Sequence, residues 1–220
     1  MEQTLLKATR VIVTRCLRTA AGRPRSFDVE AATAAALRLL WRRGYDATSI
    51  DELVAATGLR PSSIYGTFGS KRGLFHAALE RYDRDMGAVF GSLAQATGGI
   101  DDAVGLLARV RPSLAAPDGP GCFMVNTMTE MSPRDPDIAR RTRRYQERIR
   151  SSLHAAITRA AARREIEPAP VDDRARLVQA GLFGALVAAR AGVRDEALAT
   201  LDALEREIQR WRTPPPAATR

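Results

Sequence analysis

Apolar residues recur along the chain at steps of three and four, the period of a helix, and no apolar/polar alternation runs long enough to argue for a strand. Val29, Ala32, Ala36 and Leu40 step by 3, 4 and 4, which predicts a first helix from about Val29 to Arg43, N-capped by Asp28 and stopped at Gly44. Ser49-Ile50-Asp51-Glu52 has the form of a capping box and starts a second, short helix with Ile50, Leu53, Val54 and Thr57 on one side. Gly58 falls where a left-handed residue ends that helix, and Leu59 supplies the apolar contact that accompanies such an ending. Pro61 opens a third helix at the position where a missing N–H costs nothing. Ser70 caps a fourth, from about Lys71 to Gln95.

Beyond the Thr97-Gly98-Gly99 break, helices are predicted from about Asp101 to Leu114, Cys122 to Met131, Asp137 to Glu165, Asp172 to Ala191 and Asp195 to Trp211. Ala116-Pro117-Asp118-Gly119-Pro120 and Pro168-Ala169-Pro170 read as turns rather than linkers. The expected fold is all-α. Residues 23–80 form an N-terminal three-helix helix-turn-helix domain and 81–212 a larger helical bundle, with 1–22 a basic extension and 213–220 a disordered tail.

Two short helices joined through Gly58-Leu59 have the helix-turn-helix layout, whose second helix enters the DNA major groove. At about 100° per residue, Ile64 and Phe68 share the side facing the inferred core. Ser62 and Gly66 then point almost directly away, flanked by Ser63, Tyr65 and Thr67. Such a face is small, polar and flat enough to approach base edges and phosphates.

Composition sharpens this picture. A hydrophobic share of 45% is too high for an intrinsically disordered chain. Lys and Arg number 34 against 25 Asp and Glu, a net +9 that favours anionic partners. Only Lys7 and Lys71 are lysines, so the arginine excess reads mainly as a coding bias. The charge is uneven: residues 1–25 hold six cations against Glu2 alone, residues 26–75 hold six against five anions, and residues 76–220 hold 22 against 19. Cys16 and Cys122 lack the number and spacing of a disulfide framework, which suits a reducing cytoplasm. The longest apolar stretch, Ala180 to Ala189, is far short of the ~20 residues of a membrane span.

The ordered set Gly-Arg-Pro-Arg at 22–25, Gly44-Tyr45, Ala47-Thr48-Ser49-Ile50, Gly58-Leu59, Tyr65, Phe68 and Ser70-Lys71 followed by Leu74-Phe75 resembles the TetR family of bacterial repressors over about Gly22 to Leu79. The resemblance implies a homodimer that reads a palindromic operator in double-stranded DNA and responds to a small-molecule effector. It also implies that Tyr65 meets phosphate, that Lys71 sits near phosphate, that Ser62, Ser63 and Thr67 lie at bases, and that Thr48 and Ser49 form a further phosphate contact at the second helix N-terminus. Gly66 joins this set through the outward face. One departure stands out: Arg60 occupies the cap position of the third helix, where a Ser-like residue is usual in the family and where an arginine cannot accept from helix N–H groups. Either Arg60 contacts a guanine edge or a phosphate, or it is a solvated arginine. Similarly, Arg23 and Arg25 either reach into the minor groove as basic arms do or belong to an inert extension.

In the bundle, Leu198, Leu201, Leu204, Ile208 and Trp211 step by 3, 3, 4 and 3, a heptad-like seam. The preceding helix offers the small residues Gly181, Gly184 and Ala188. Both faces are expected at the dimer interface, the alternative being that they complete the core of a single chain. The segment 121–131 holds Cys122, Met124, Thr127, Met128 and Met131 and, with Phe90, Tyr145 and Phe183, is the candidate effector site; a Met and Phe cluster on a helix equally suits ordinary core. Cys122 follows a Pro-Gly turn at a helix N-terminus, where the macrodipole favours a thiolate, and Gly-Cys-x-x-Val resembles the segment of TetR-family electrophile sensors. A buried structural cysteine is the other reading.

An enzyme is disfavoured by the inventory. His76 and His154 stand alone, and no HExxH, nucleophile elbow, Walker loop or Glu-x-x-His pair is present, so no catalytic residue, cofactor or metal is expected. The competing class is a DNA-binding protein without sequence preference or effector.

Overall fold

The computed structural model describes residues 27–117 and 119–213. Among them are nine helices: α1 (Val29–Arg43), α2 (Ile50–Thr57), α3 (Pro61–Phe68), α4 (Lys71–Gln95), α5 (Ile100–Ala115), α6 (Phe123–Met131), α7 (Pro136–Ala162), α8 (Val171–Arg190) and α9 (Arg194–Arg210). The one extended pairing among these residues is an isolated antiparallel bridge between Ile166 and Arg212.

Local chemistry sets the helix ends in the N-terminal part. Asp28 accepts from the backbone N–H groups of Glu30 (2.9 Å) and Ala31 (3.2 Å), so α1 begins with its orphan donors satisfied. The capping box of α2 is complete: the Ser49 hydroxyl accepts from the Glu52 N–H at 3.1 Å, and the Glu52 carboxylate accepts from the Ser49 N–H at 2.7 Å. Gly58 ends α2 at φ 68°, a backbone region where a Cβ would be strained. Ile64, Leu53, Leu40 and Ala36, all fully buried, make the small core on which α1, α2 and α3 rest.

α4 joins this head to the body. It packs against α1 at one end and α7 along the rest of its length. At its far end the Arg159 guanidinium donates to the carbonyls of Leu93 and Ala94, each at 2.9 Å, taking up two of the terminal acceptors. α8 and α9 form a helical hairpin through Ala191-Gly192-Val193 and pack on α7 and α5.

Two features depart from the sequence expectations. α7 ends at Ala162 rather than near Glu165, because Arg164 adopts φ 57° and the Glu165 carboxylate turns to accept the Ile100 N–H at 3.0 Å, capping α5 from outside. Three residues of the heptad-like α9 seam also take the other course, packing inside this chain. Leu201 and Ile208 are fully buried and Leu204 is 7% exposed, all three within this chain's own core, and Gly181 lies so close to Leu204 that a Cβ there would stand 2.7 Å from its methyl carbons. Helix contact through a bare backbone explains Gly181 without a dimer. Arg23, Arg25 and the extension 1–22 lie outside the described residues, as does the tail from 214; Thr213, assigned to that tail, donates its N–H to the Glu165 carbonyl at 2.9 Å.

Candidate nucleic-acid interface

α3 presents the face expected of a reading helix. Ile64 is fully buried and Phe68 half-buried, whereas Ser62, Tyr65 and Gly66 are exposed and Ser63 and Thr67 partly so. The hydroxyls behave differently from those elsewhere in the head. Thr33, Thr48 and Thr57 each donate to the carbonyl four residues back, at 2.6 to 2.8 Å. Among the described residues, the hydroxyls of Ser62, Ser63, Tyr65 and Thr67 have no hydrogen-bond partner, so their donors and acceptors face outward and are satisfied only by solvent or a ligand. No acidic residue lies on α3. Arg60 occupies its N-cap without a side-chain hydrogen bond to the helix, and it is exposed.

The flanking positions differ in fitness. Lys71 opens α4, and its ammonium Nζ lies 4.3 Å from the Tyr45 ring centroid, a cation–π contact that positions the charged end of the side chain. Thr48 is a correction: it is 1% exposed and its hydroxyl is committed to the Gly44 carbonyl, so its side chain holds the α1–α2 turn and cannot reach phosphate. Ser49 is exposed, but Glu52 already occupies its N–H, and Arg43 pairs with Glu52 at 2.7 Å. Its amide and hydroxyl hold the Glu52 carboxyl below the ordinary glutamate range, so at neutral pH a fixed negative charge sits at that helix N-terminus.

The body grips the head through a contact absent from any sequence pattern. The Glu130 carboxylate, near the end of α6, accepts from the backbone N–H groups of Tyr45 (3.1 Å) and Asp46 (2.9 Å) in the α1–α2 turn. Arg134 pairs with Asp46, and Arg72 with Asp135 at 2.9 Å. Glu130→Gln keeps one carbonyl acceptor but turns an NH2 toward the second amide, so the chain is expected to stay folded while amide hydrogen exchange at Tyr45 and Asp46 quickens about tenfold or more. Unchanged exchange at both amides would show that Glu130 does not hold the turn.

At the other end of α6, Cys122 is its N-cap but is not an exposed thiol. It is 4% exposed, receives the Tyr82 O–H at 3.1 Å, and lies 3.4 Å from the Tyr145 hydroxyl. Burial pushes both phenols well above the ordinary tyrosine value, so both remain O–H groups at neutral pH. Phe90 meets Tyr145 edge-on at 5.8 Å, and Trp41 meets Tyr82 at 5.1 Å. Of the candidate effector residues, Phe90, Cys122 and Tyr145 thus come together, and Met124 and Thr127 are buried on α6. Met131 lies under Arg134, Met128 is half-buried against Gln146, and Phe183 is half-buried on α8. Tyr82 was missed; its spacing from Phe90 on α4 was the available signal.

A second surface of interest is on α8. Leu177 and Val187 are 49% and 46% exposed, and with exposed Ala180 and Gly184 they form a stripe at steps of 3, 4 and 3. A Cβ on Gly184 would meet nothing within 4 Å, so that face is open, with Ala188 half-buried at its edge. Among the described residues no group of three or more His, Cys, Asp or Glu converges to hold a metal ion, and no helix is long and apolar enough to cross a membrane.

Comparison with known proteins matches this geometry. Residues 32–78 match the profile of bacterial regulatory proteins of the tetR family, and residues 107–204 match that of tetracyclin repressor-like C-terminal domains. The HTH-type transcriptional repressor ComR of Escherichia coli K12 is 34% identical over 189 residues, which cover 84% of this chain and 90% of ComR. Among solved structures, a cysteine mutant of the TetR family transcriptional regulator CifR complexed with 26 bp operator DNA superposes with a TM-score of 0.72 at 26% identity, covering 84% of this chain and 98% of CifR. Reduced NemR of E. coli shares the fold, with a TM-score of 0.73 at 18% identity over 86% of this chain and 98% of NemR. With its reading helix, its helical body and the match running through both, the chain belongs to the TetR family of bacterial transcriptional regulators.

Proposed function

We propose that this regulator acts as a homodimeric repressor that reads a palindromic operator through α3 and releases it when a small molecule or electrophile engages the body. The observation that carries this reading is the outward face of α3, where four hydroxyls stand without internal partners. Ser62, Ser63 and Thr67 meet base edges, Gly66 lets the helix approach closely, and Tyr65, Ser49 and Lys71 meet phosphate. Arg23 and Arg25, in the segment just before α1, serve the minor groove. Repression and operator binding follow the relatives: ComR is a transcriptional repressor and the CifR mutant is complexed with operator DNA. The exposed α8 stripe supports the dimer, since a two-fold reader needs a self-complementary face. The aromatic cluster around Cys122 supports the effector site, because α6 runs from that cluster to the Glu130 contact with the head. A cytoplasmic setting follows from operator binding.

The test is footprinting on the DNA upstream of its own gene, together with binding to random DNA at physiological salt. Two protected half-sites are expected with centres ~10 bp apart or a multiple of that. Equal affinity for random DNA would leave a binder without sequence preference. Within that reading, Arg60→Ala is expected to weaken operator binding about tenfold to a hundredfold if Arg60 meets a guanine, or to lower the salt slope by about one if it meets phosphate. Affinity and slope both unchanged would make it a solvated arginine.

A further inference from the structure

A cleft of 490 Å³ lies between α1 of the head and the C-terminal end of α8, closed on one side by the loop that leads into α6. Three arginines line it: Arg38 and Arg42 on α1, and Arg190 on α8. All three are exposed, and an anion in the cleft would accept charge-assisted hydrogen bonds from their guanidinium groups. The remaining wall is apolar, built by Trp41, Pro117 and Pro120. Trp41 is held in place there, because its indole N–H donates to the Gly121 carbonyl at 3.2 Å and its ring packs edge-on against Tyr82. Arg190 is anchored too, donating to the Arg42 carbonyl across the seam.

We propose that this cleft binds a small organic acid, its carboxylate held among Arg38, Arg42 and Arg190 and its apolar part resting on Trp41 and the two prolines. The chemistry has two parts, and each selects against a different competitor. The arginines reject neutral apolar molecules, which leave the guanidinium groups unpaired. The apolar wall disfavours a bare inorganic ion, which gains nothing from Trp41. Arg38 and Arg42 belong to the head and Arg190 to the body, so a bound acid ties the two together and stiffens the angle between them. The site adjoins the buried cluster around Cys122 through Trp41, whose ring packs on Tyr82, and the arginine substitutions below separate the two.

The probe is benzoate, with inorganic phosphate and chloride as comparison anions at equal ionic strength. The chain has two tryptophans, Trp41 and Trp211, so Trp211→Phe leaves Trp41 as the sole indole reporter. In that background, benzoate is expected to change Trp41 fluorescence saturably, with phosphate at least tenfold weaker and chloride without effect. Arg38 is exposed, and Arg38→Ala is expected to weaken the benzoate response about tenfold without loss of folding by circular dichroism. Arg206→Ala, a change of an exposed arginine on α9, should leave it unaltered. A linear, unsaturable response, equal responses to benzoate and chloride, or the same midpoint in Arg38→Ala would each overturn the assignment. Phosphate binding as tightly as benzoate would overturn its organic part.

Discussion

Replacing Leu177 and Val187 together by glutamate is expected to leave a folded monomer that has lost its operator affinity. Both side chains are about half exposed on one copy, so pairing two α8 helices buries the remaining half of four side chains. At about 2 kcal/mol for a fully buried aliphatic side chain, that burial contributes roughly 4 kcal/mol, or about a thousandfold in dimer affinity. Glutamate removes it and sets four carboxylates facing one another. A monomer then engages one half-site at a time, and operator affinity falls by about 10²–10⁴ as the second contact ceases to be intramolecular. Analytical ultracentrifugation and operator titration read the two effects. The contrasting change is Leu204→Ala, which empties a core position and is expected to cost about 2–5 kcal/mol in unfolding free energy while the protein stays dimeric. A dimer that survives the double glutamate variant but falls apart in Leu204→Ala would place the interface on the α9 seam after all.

Gly73→Ala is expected to be the most damaging single methyl in the head. Gly73 is in the first turn of α4, with its N–H donated to the Ser70 hydroxyl at 3.0 Å. A Cβ there would stand 1.8 Å from the Phe68 carbonyl oxygen and 2.9 Å from its carbon. The obstacle is backbone, with no flexible side chain to give way, so the α3–α4 corner itself must open. Overpacking commonly costs about 1–3 kcal/mol, and a clash with main chain belongs at or above the upper end. Because the corner sets the pose of α3, operator affinity should fall at least a hundredfold as the head melts at lower denaturant. Gly91→Ala on the same helix is the control. A Cβ there meets nothing within 4 Å, and removing a helix-interior glycine is expected to stabilise by about 0.5–1 kcal/mol. Equal midpoints for the two variants would mean that the α3–α4 corner relaxes freely.

The head was the more legible part in the sequence, and the reason is locality. Asp28, Ser49, Gly58, Pro61 and Ser70 act on residues two to four positions away, so the ends of α1 to α4 could be placed from spacing alone. The outward set on α3 followed from helical angle once Ile64 was assigned to the core. Thr48 misled because a threonine at a helix start has two uses, and only the structure shows the hydroxyl turned back to Gly44. The body resisted for a different reason. Periodicity identifies an apolar face but not its partner: Leu201, Leu204 and Ile208 of the α9 seam are as apolar as an interface yet pack inside this chain, while the face left open on α8 carries fewer large residues. Contacts such as Glu130 with Tyr45, or Tyr82 with Cys122, join positions dozens of residues apart and leave no trace in local pattern.

The length of α4 has a mechanical consequence. Its 25 residues make a rod about 37 Å long, clamped by Arg159 at one end and carrying Lys71 and the α3 corner at the other. A tilt of only about 5° about the clamped end sweeps the free end through about 3 Å. That is nearly the rise of one base pair, ~3.4 Å. In the two-fold assembly proposed above, two such tilts would double the offset between the heads. A tilt of that size also has to part the contacts that tie this end of the rod to the body, Arg72 with Asp135 and the Tyr45 and Asp46 amides with Glu130, so those few polar contacts set the stiffness against which the lever moves.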